Sequence, residues 1–246
     1  MSEAMQLWGE IVFNVAYLVI VWGLVWAMIR RLPQLSQANH PLARLFIWAF
    51  ALLALGDSGH VGFRVLAYAA GSLETTLTVI GVEVGLVGIG VFSTSVTVTI
   101  FYALMLMIWR VRFDQQYGGF GLLLFLAAAV RLVLMLFPQN EWSRIVSPQP
   151  WATYRNLPLL VQGLGAAYLI LRDAIANKDR TFKWVGVMIL VSYAFYVPVV
   201  LFVEVVPMIG MLMIPKTMAY VAIAWVAFTN VFRKTSPESL RLGKER

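Results

Sequence analysis

The chain has 246 residues, of which 61% are hydrophobic and 13% are charged, and its formal net charge is +7. This composition is typical of an integral membrane protein, so residues 1–246 are predicted to form one membrane domain without a separate soluble domain. The lack of cysteine excludes disulfides, thiolate metal sites and a cysteine nucleophile. The basic residues lie between apolar runs, where topology explains them, which argues against a nucleic-acid partner.

Seven apolar runs are each interpreted as crossing a hydrocarbon core of about 30 Å. In chain order they are Leu7–Ile29, Leu45–Gly71, Leu77–Trp109, Gly118–Phe137, Asn156–Leu171, Phe182–Val203 and Pro207–Phe232. The N-terminal MSEAMQ has an acid and no base, unlike a cleavable signal, so the first run is kept as a spanning helix. The predicted fold class is all-α, a bundle of seven transmembrane helices.

The basic residues predict the orientation of this bundle. Fourteen of the nineteen Lys and Arg residues would lie on one side: Arg30, Arg31, Arg44, Arg110, Arg112, Arg172, Lys178, Arg180, Lys183, Arg233, Lys234, Arg241, Lys244 and Arg246. Because basic residues favour the cytoplasmic side, the N-terminus is predicted outside and the C-terminus in the cytoplasm.

The second run carries three ionisable residues on one helical face. Asp57, His60 and Arg64 are spaced i, i+3 and i+7. A charge near the bilayer centre costs roughly 3 kcal/mol or more, so such residues normally face the protein interior or a wet cavity. This face is therefore predicted to handle a proton or to bind a substrate, with an ion-pair lock between helices as the alternative.

Later runs add charges at similar predicted depths. A helical rise of about 1.5 Å per residue puts Glu83, Arg131 and Lys216 roughly 9 to 14 Å from the outer ends of their runs. Four acids and four bases would then balance in the outer half: Glu10, Asp57, Glu83 and Glu204 against Arg64, Arg131, Arg155 and Lys216. The inner half is predicted to hold mainly the hydroxyls of Ser93, Thr94, Ser95, Thr97 and Thr99. Together these patterns predict a cavity that opens outward.

Two proline positions affect these expectations. Pro158 suits the first turn of a short fifth helix, with Arg155 at its outer mouth. Pro215 is expected to open the last helix locally and to expose a carbonyl or Lys216. The arginines and Lys216 would offer donors to carboxylates or phosphates.

Three other chemistries fit these residues less well. A mixed zinc site of His60, Asp57 and Glu83 would have fewer His or Cys ligands than zinc sites usually have, so no metal ligand is assigned. Ser58, His60 and Asp57 are the residue types of a hydrolase triad, but adjacent helical positions point about 100° apart. A retinal protein would form its Schiff base on Lys216, yet Leu212 stands where an acid is expected and helix six has no mid-membrane Trp.

Several segments resemble an uncharacterised family of bacterial seven-pass integral membrane proteins. They are LALGDSGHVGFR, TSVTVTIFY, RLVLMLFPQNEW, YRNLP, YAFYVPVVLF and PMIGMLMIPKTMAYV, and they span most of the chain. Gly59 and Gly62 depart from the family pattern, in which bulkier residues stand. The resemblance implies the seven-pass topology and a plasma (inner) membrane location, and it implies no activity.

The sequence thus predicts a polar pocket in the outer half of the bundle. Its ligand-binding or proton-handling residues would be Asp57, His60, Arg64, Glu83, Arg131, Arg155 and Lys216. The leading function is binding or translocation of a small anionic or zwitterionic molecule. The alternatives are an intramembrane enzyme that uses Asp57 and His60, a structural or sensory subunit, and the retinal protein. The lipid bilayer and a small-molecule ligand are the expected partners; the cofactor and homo-oligomer formation stay open.

Overall fold

A computed structural model describes residues 3–79, 81–145 and 147–233, with side chains from residue 12 onward except at positions 79 and 82. Within these residues there are seven α-helices and one β-hairpin. The helices are α1 (Glu3–Arg31), α2 (His40–Ala69), α3 (Leu86–Phe113), α4 (Gly118–Leu134), α5 (Trp151–Ala176), α6 (Arg180–Phe202) and α7 (Met213–Asn230). The hairpin pairs β1 (Thr76–Val79) with β2 (Val82–Gly85). The all-α fold class is confirmed.

Six helical segments are long and apolar enough to cross a membrane. They are Val12–Gln34, Gln37–Ala69, Leu86–Phe113, Trp151–Ala176, Arg180–Phe202 and Pro207–Asn230, whereas α4 has only 17 residues. Large apolar side chains lie on the outside of the bundle, such as Trp48, which is 62% exposed, and Leu136, which is 74% exposed. Lipid would cover these side chains, so the chain has the surface of a membrane protein.

The third helix begins later than the sequence analysis predicts. Residues 77–85 belong to the hairpin, because TLTV and VEVG are rich in β-branched residues and Gly81 takes a φ of +76° at the turn. The hydroxyl run from Ser93 to Thr99 therefore starts about 10 Å from the beginning of α3. The prediction that these hydroxyls fill the opposite half from the ionisable residues is wrong.

The two prolines also lie elsewhere in their helices than expected. Helix α5 begins at Trp151, so Pro158 is inside the helix and not in its first turn. A 3₁₀ turn, Pro207–Leu212, precedes α7, and Pro215 is the third residue of α7. The 3₁₀ turn runs directly into α7, so the helical geometry changes just before Pro215; that Pro215 opens the last helix and exposes Lys216 stays a prediction.

Helices α2 and α3 pack more extensively than any other pair of elements in the described chain. Small residues allow this: a Cβ at Gly56 would lie 1.8 Å from Thr97 Oγ1, and one at Gly90 would lie 2.9 Å from His60 Cα. This contact brings the ionisable face of α2 directly onto the hydroxyls of α3.

The apolar core fills the half of the bundle away from the hairpin. Its largest fully buried side chains include Phe46 and Phe50 of α2, Phe101 of α3 and Phe182 of α6. Basic residues such as Arg110 lie at that end, which we call the basic end. We call the opposite end of the bundle, where β1 and β2 lie, the hairpin end. The polar side chains of the candidate site lie between the apolar core and the hairpin end.

Candidate functional site

Asp57 lies where α1, α2 and α3 meet. Its half-buried carboxylate accepts hydrogen bonds from Tyr17 Oη at 2.7 Å and from Thr94 Oγ1 at 2.5 Å, one on each oxygen. Tyr17 is 4% exposed. These two donors fix the orientation of the Asp57 carboxylate.

Arg131 of α4 is only 1% exposed, and its guanidinium is surrounded by neutral acceptors. Nε donates to the Arg155 carbonyl at 3.1 Å and Nη1 donates to the Ser95 carbonyl at 2.8 Å. Nη1 also bonds Thr99 Oγ1, and Nη2 donates to Asn156 Oδ1 at 3.2 Å. No carboxylate of the described side chains pairs with Arg131 within 4 Å. Within the described side chains, neutral acceptors alone thus hold this positive charge in place.

Arg155, 5% exposed on α5, ties the loop after α4 to the bundle. Its guanidinium lies 4.5 Å from the Trp142 ring centroid, Nη1 donates to Asn140 Oδ1 at 3.3 Å and Nη2 donates to Ser147 Oγ. The loop packs on the first turn of α3, where a Cβ at Gly88 would lie 1.4 Å from the Trp142 carbonyl oxygen. This loop therefore covers the hairpin end above Arg131.

Lys216 of α7 is half-buried and has aromatic faces as its near partners. Its Nζ lies 4.6 Å from the Tyr196 ring centroid and 5.8 Å from that of Tyr220. Among the described residues it has no ion-pair partner within 4 Å and makes no hydrogen bond. Asp57 attracts it and Arg131 repels it at longer range. Its three N–H donors are consequently available within the described structure.

Tyr196 and Asn156 connect these separate groups. Tyr196 donates its hydroxyl to Asn156 Oδ1 at 2.8 Å, the atom that also accepts from Arg131. The hydroxyls of Tyr220 and Tyr102 lie 3.0 Å apart, which extends the polar region towards α3. All seven helices contribute a residue to this polar region, which we call the interior cluster. We define it as Tyr17, Asp57, Thr94, Thr99, Arg131, Asn156, Tyr196, Lys216 and Tyr220.

His60 and Arg64 lie half-buried on α2, between Asp57 and the hairpin end. The α3 backbone packs closely against His60 near Gly90. Both residues thus lie on the α2–α3 side of the bundle, as the spacing from Asp57 implies.

The predicted set of acids does not assemble. Glu83 is exposed on β2, opposite Thr78, because residues 77–85 form the hairpin. Glu204 is exposed just after α6, and the side chain of Glu10 lies outside the described residues. Of the four acids proposed to balance the bases, only Asp57 lies within the interior among the described side chains. The mixed zinc site with Glu83 is wrong for the same reason, and no group of three potential His, Cys, Asp or Glu ligands occurs in the described residues.

For some members of the interior cluster the residue spacing alone predicts a neighbour in the cluster, and for others it does not. Tyr220 follows Lys216 by four residues, so the i, i+4 spacing places it on the same helical face. Tyr17 and Asn156 meet Asp57 and Arg131 from other helices. Their positions depend on the rotation of each helix about its axis, which apolar runs of this length do not determine.

Two surface cavities lie away from this cluster. One, of about 640 Å³, lies at the α5–α6 turn and includes Lys178, Arg180, Lys183 and Trp184. The other, of about 410 Å³, is an apolar groove between α1 and α7 beside Gly23 and Trp225. Neither is lined by Asp57 or Lys216.

No protein-family model, curated protein sequence or solved structure matches the chain. The interior cluster combines a guanidinium held by neutral acceptors, an ammonium group with available donors and one oriented carboxylate.

Proposed function

We propose that the protein binds or translocates a small anionic or zwitterionic molecule at the interior cluster, between Asp57 and Lys216. The observation that carries this proposal is the uneven charge of the described interior. Arg131, Arg155 and Lys216 are buried or half-buried there, and Asp57 is the acid that accompanies them.

The charge imbalance supports an anionic partner on physical grounds. A cation taken out of water loses several kcal/mol of hydration, and this loss is offset only by an opposite charge or good hydrogen bonds. Hydrogen bonds offset the lost hydration of Arg131, whereas Lys216 contacts aromatic ring faces, which offset less of its lost hydration. A bound carboxylate or phosphate would compensate both charges in a low-dielectric site.

The contacts suggest different roles for the two basic residues. Four donor interactions to protein acceptors occupy Arg131, so it would act on a ligand mainly through its electrostatic field. Lys216 would donate directly to the negative group of the ligand, held in place by Tyr196 and Tyr220. Asp57 would carry a proton or bind the cationic group of a zwitterion.

The proposed topology is that of a seven-pass protein of a bacterial plasma (inner) membrane. Six spans are supported by length and composition, and α4 would provide the seventh at about 26 Å, close to the thickness of a bilayer core. Arg30, Arg44, Arg110, Lys178 and Arg233 lie on connections or helix ends that share one side in this topology. Positive residues favour the cytoplasm, so the C-terminus would be cytoplasmic and the hairpin outside.

Native mass spectrometry of gently extracted protein tests the proposal. Wild type is compared with Asp57→Asn, Lys216→Met and Arg110→Met, the last of which removes a positive charge from an exposed position. We expect a bound non-lipid mass on wild type and on Arg110→Met, and its loss from the two folded interior variants. A mass that survives both interior substitutions, or a folded wild type without any non-lipid mass, would contradict the proposal.

A further inference from the structure

The α5–α6 turn carries three positive side chains around one surface cavity. Lys178 lies in the turn, and Arg180 and Lys183 lie in the first turn of α6; all three are exposed. The cavity beside them has a volume of about 640 Å³. Among the described residues, none of the three has an ion-pair partner within 4 Å. Asp179 also lines the cavity, whose walls thus carry three positive side chains and one negative side chain.

The acids nearby are already engaged. Asp179 accepts from Arg112 Nε at 2.8 Å with one oxygen and from the Phe182 N–H at 3.0 Å with the other. Asp173 accepts from Trp109 Nε1 at 2.7 Å and pairs with Arg172. These acids hold the helix ends together, so they contribute little to neutralising the three basic side chains.

The positions of these charges are unfavourable for folding alone. Arg180 and Lys183 stand at the positive end of the α6 dipole, where cations are destabilising, and Lys178 adds a like charge to the same cavity. An anion in the cavity would reverse both effects.

The other wall of the cavity is apolar and faces outward. Trp184 is 49% exposed and Ile175 is 61% exposed, and Val187 lies one turn beyond Lys183 and Trp184 on α6. Both helices of this turn are long and apolar enough to span a membrane, so the cavity lies where headgroups meet acyl chains. Tryptophan is typical of this interface because its ring is apolar and its N–H is polar.

We propose that this cavity binds an anionic phospholipid of the surrounding bilayer. The phosphate lies among Lys178, Arg180 and Lys183, and an acyl chain runs along Trp184 and Ile175. The apolar wall selects a lipid over a free phosphate, because a soluble anion would leave this wall without a partner. The site is separate from the interior cluster and does not depend on the function proposed for it.

Lipid retention by the full chain tests this site. Detergent-solubilised protein is titrated with phosphatidylglycerol, with phosphatidylcholine of the same acyl chains and with inorganic phosphate, and bound masses are counted by native mass spectrometry. The test variant combines Lys178→Gln, Arg180→Gln and Lys183→Gln. The control combines Arg44→Gln, Arg110→Gln and Arg233→Gln, which removes the same charge from exposed positions outside the cavity. A third variant, Trp184→Ala, removes the apolar wall and no charge.

We expect wild type and the control to retain phosphatidylglycerol in preference to phosphatidylcholine, and the test variant to bind it about tenfold more weakly. Trp184→Ala should weaken the binding of phosphatidylglycerol and leave the weak binding of inorganic phosphate unchanged. Equal losses in the test variant and the control would overturn the proposal, because they would indicate general surface charge. Inorganic phosphate that binds as tightly as phosphatidylglycerol would overturn the choice of a lipid. Each variant is scored only as the folded species, identified by its thermal unfolding transition.

Discussion

The α5–α6 turn and the interior cluster use charged residues in opposite ways. At the turn, Asp179 and Asp173 each pair with an arginine at 2.8 Å, and the acids also accept from a backbone N–H or an indole. In the interior cluster, Arg131 bonds neutral acceptors and Lys216 faces two aromatic rings. The two acids at the turn are thus paired with partly exposed arginines, whereas the basic residues of the interior cluster have no paired acid among the described side chains.

The free-energy cost of burying a charge disfavours the arrangement in the interior cluster. Partly exposed pairs gain little from each other because water and salt screen them, whereas an uncompensated buried charge is expensive. The anionic ligand proposed for the interior cluster would compensate these charges.

Arg131→Met should have the largest effect on stability. It removes the buried donor shared by the Ser95 and Arg155 carbonyls, Thr99 Oγ1 and Asn156 Oδ1, at a cost of about 3 kcal/mol. The Ser95 carbonyl keeps its bond from Thr99, and Asn156 Oδ1 keeps its bond from Tyr196. The midpoint of thermal unfolding in detergent measures this loss. Arg110→Met, which removes an exposed charge, should change the midpoint little. Equal midpoints for the two variants would show that the buried guanidinium does not organise the interior cluster.

Gly88→Ala tests whether the loop above the cluster depends on its contact with α3. The new methyl would overlap the Trp142 carbonyl, so the loop must move, at a cost of about 2 kcal/mol. Gly62→Ala on α2 is the matched control, since its methyl meets nothing within 4 Å and alanine favours a helix. The midpoint of thermal unfolding should fall below that of wild type for Gly88→Ala and rise above it for Gly62→Ala. If Gly62→Ala lowered the midpoint as much as Gly88→Ala, the result would contradict this packing of the loop on α3.

Arg112→Gln removes one ion pair at the basic end. Arg112 is 44% exposed at its side chain, so screening limits the expected loss to less than about 1 kcal/mol. Asp179 keeps its bond to the Phe182 N–H in this variant, and helix α6 should therefore stay intact. The difference from wild type should shrink further at high salt, as followed by thermal unfolding. If Arg112→Gln lost as much stability as Arg131→Met, the result would contradict the difference between the α5–α6 turn and the interior cluster.

The helices were largely predictable because each apolar run is long enough to be recognised. Helix α4 begins at Gly118 and α6 ends at Phe202, within one residue of the predicted limits. The start of α3 was missed because residues 77–85 are as apolar as a helix, although Thr76, Thr78 and Val84 favour a strand. That one error misplaced Glu83 and the hydroxyls of α3.

The interior cluster was predictable in its residue types and not in its pairings. Depth along a helix follows from counting residues, so the sequence predicts that Asp57, Arg131 and Lys216 lie well inside their helices and face the bundle interior. Which side each helix turns to its neighbours depends on close packing, such as that of Gly56 against Thr97, and a single sequence does not contain this information. Hence the bonds from Tyr17 to Asp57 and from Arg131 to Asn156 appear only in three dimensions.

The most direct measurement is the thermal stability of Lys216→Met in detergent, without added small molecules. If Lys216 is kept for a ligand, its loss should leave the free energy of unfolding within about 1 kcal/mol of wild type, or raise it, because methionine needs no hydration and fills a similar volume. If Lys216 instead locks α7 to Asp57, the variant should lose as much stability as Arg131→Met, and that result would contradict a ligand site at the interior cluster.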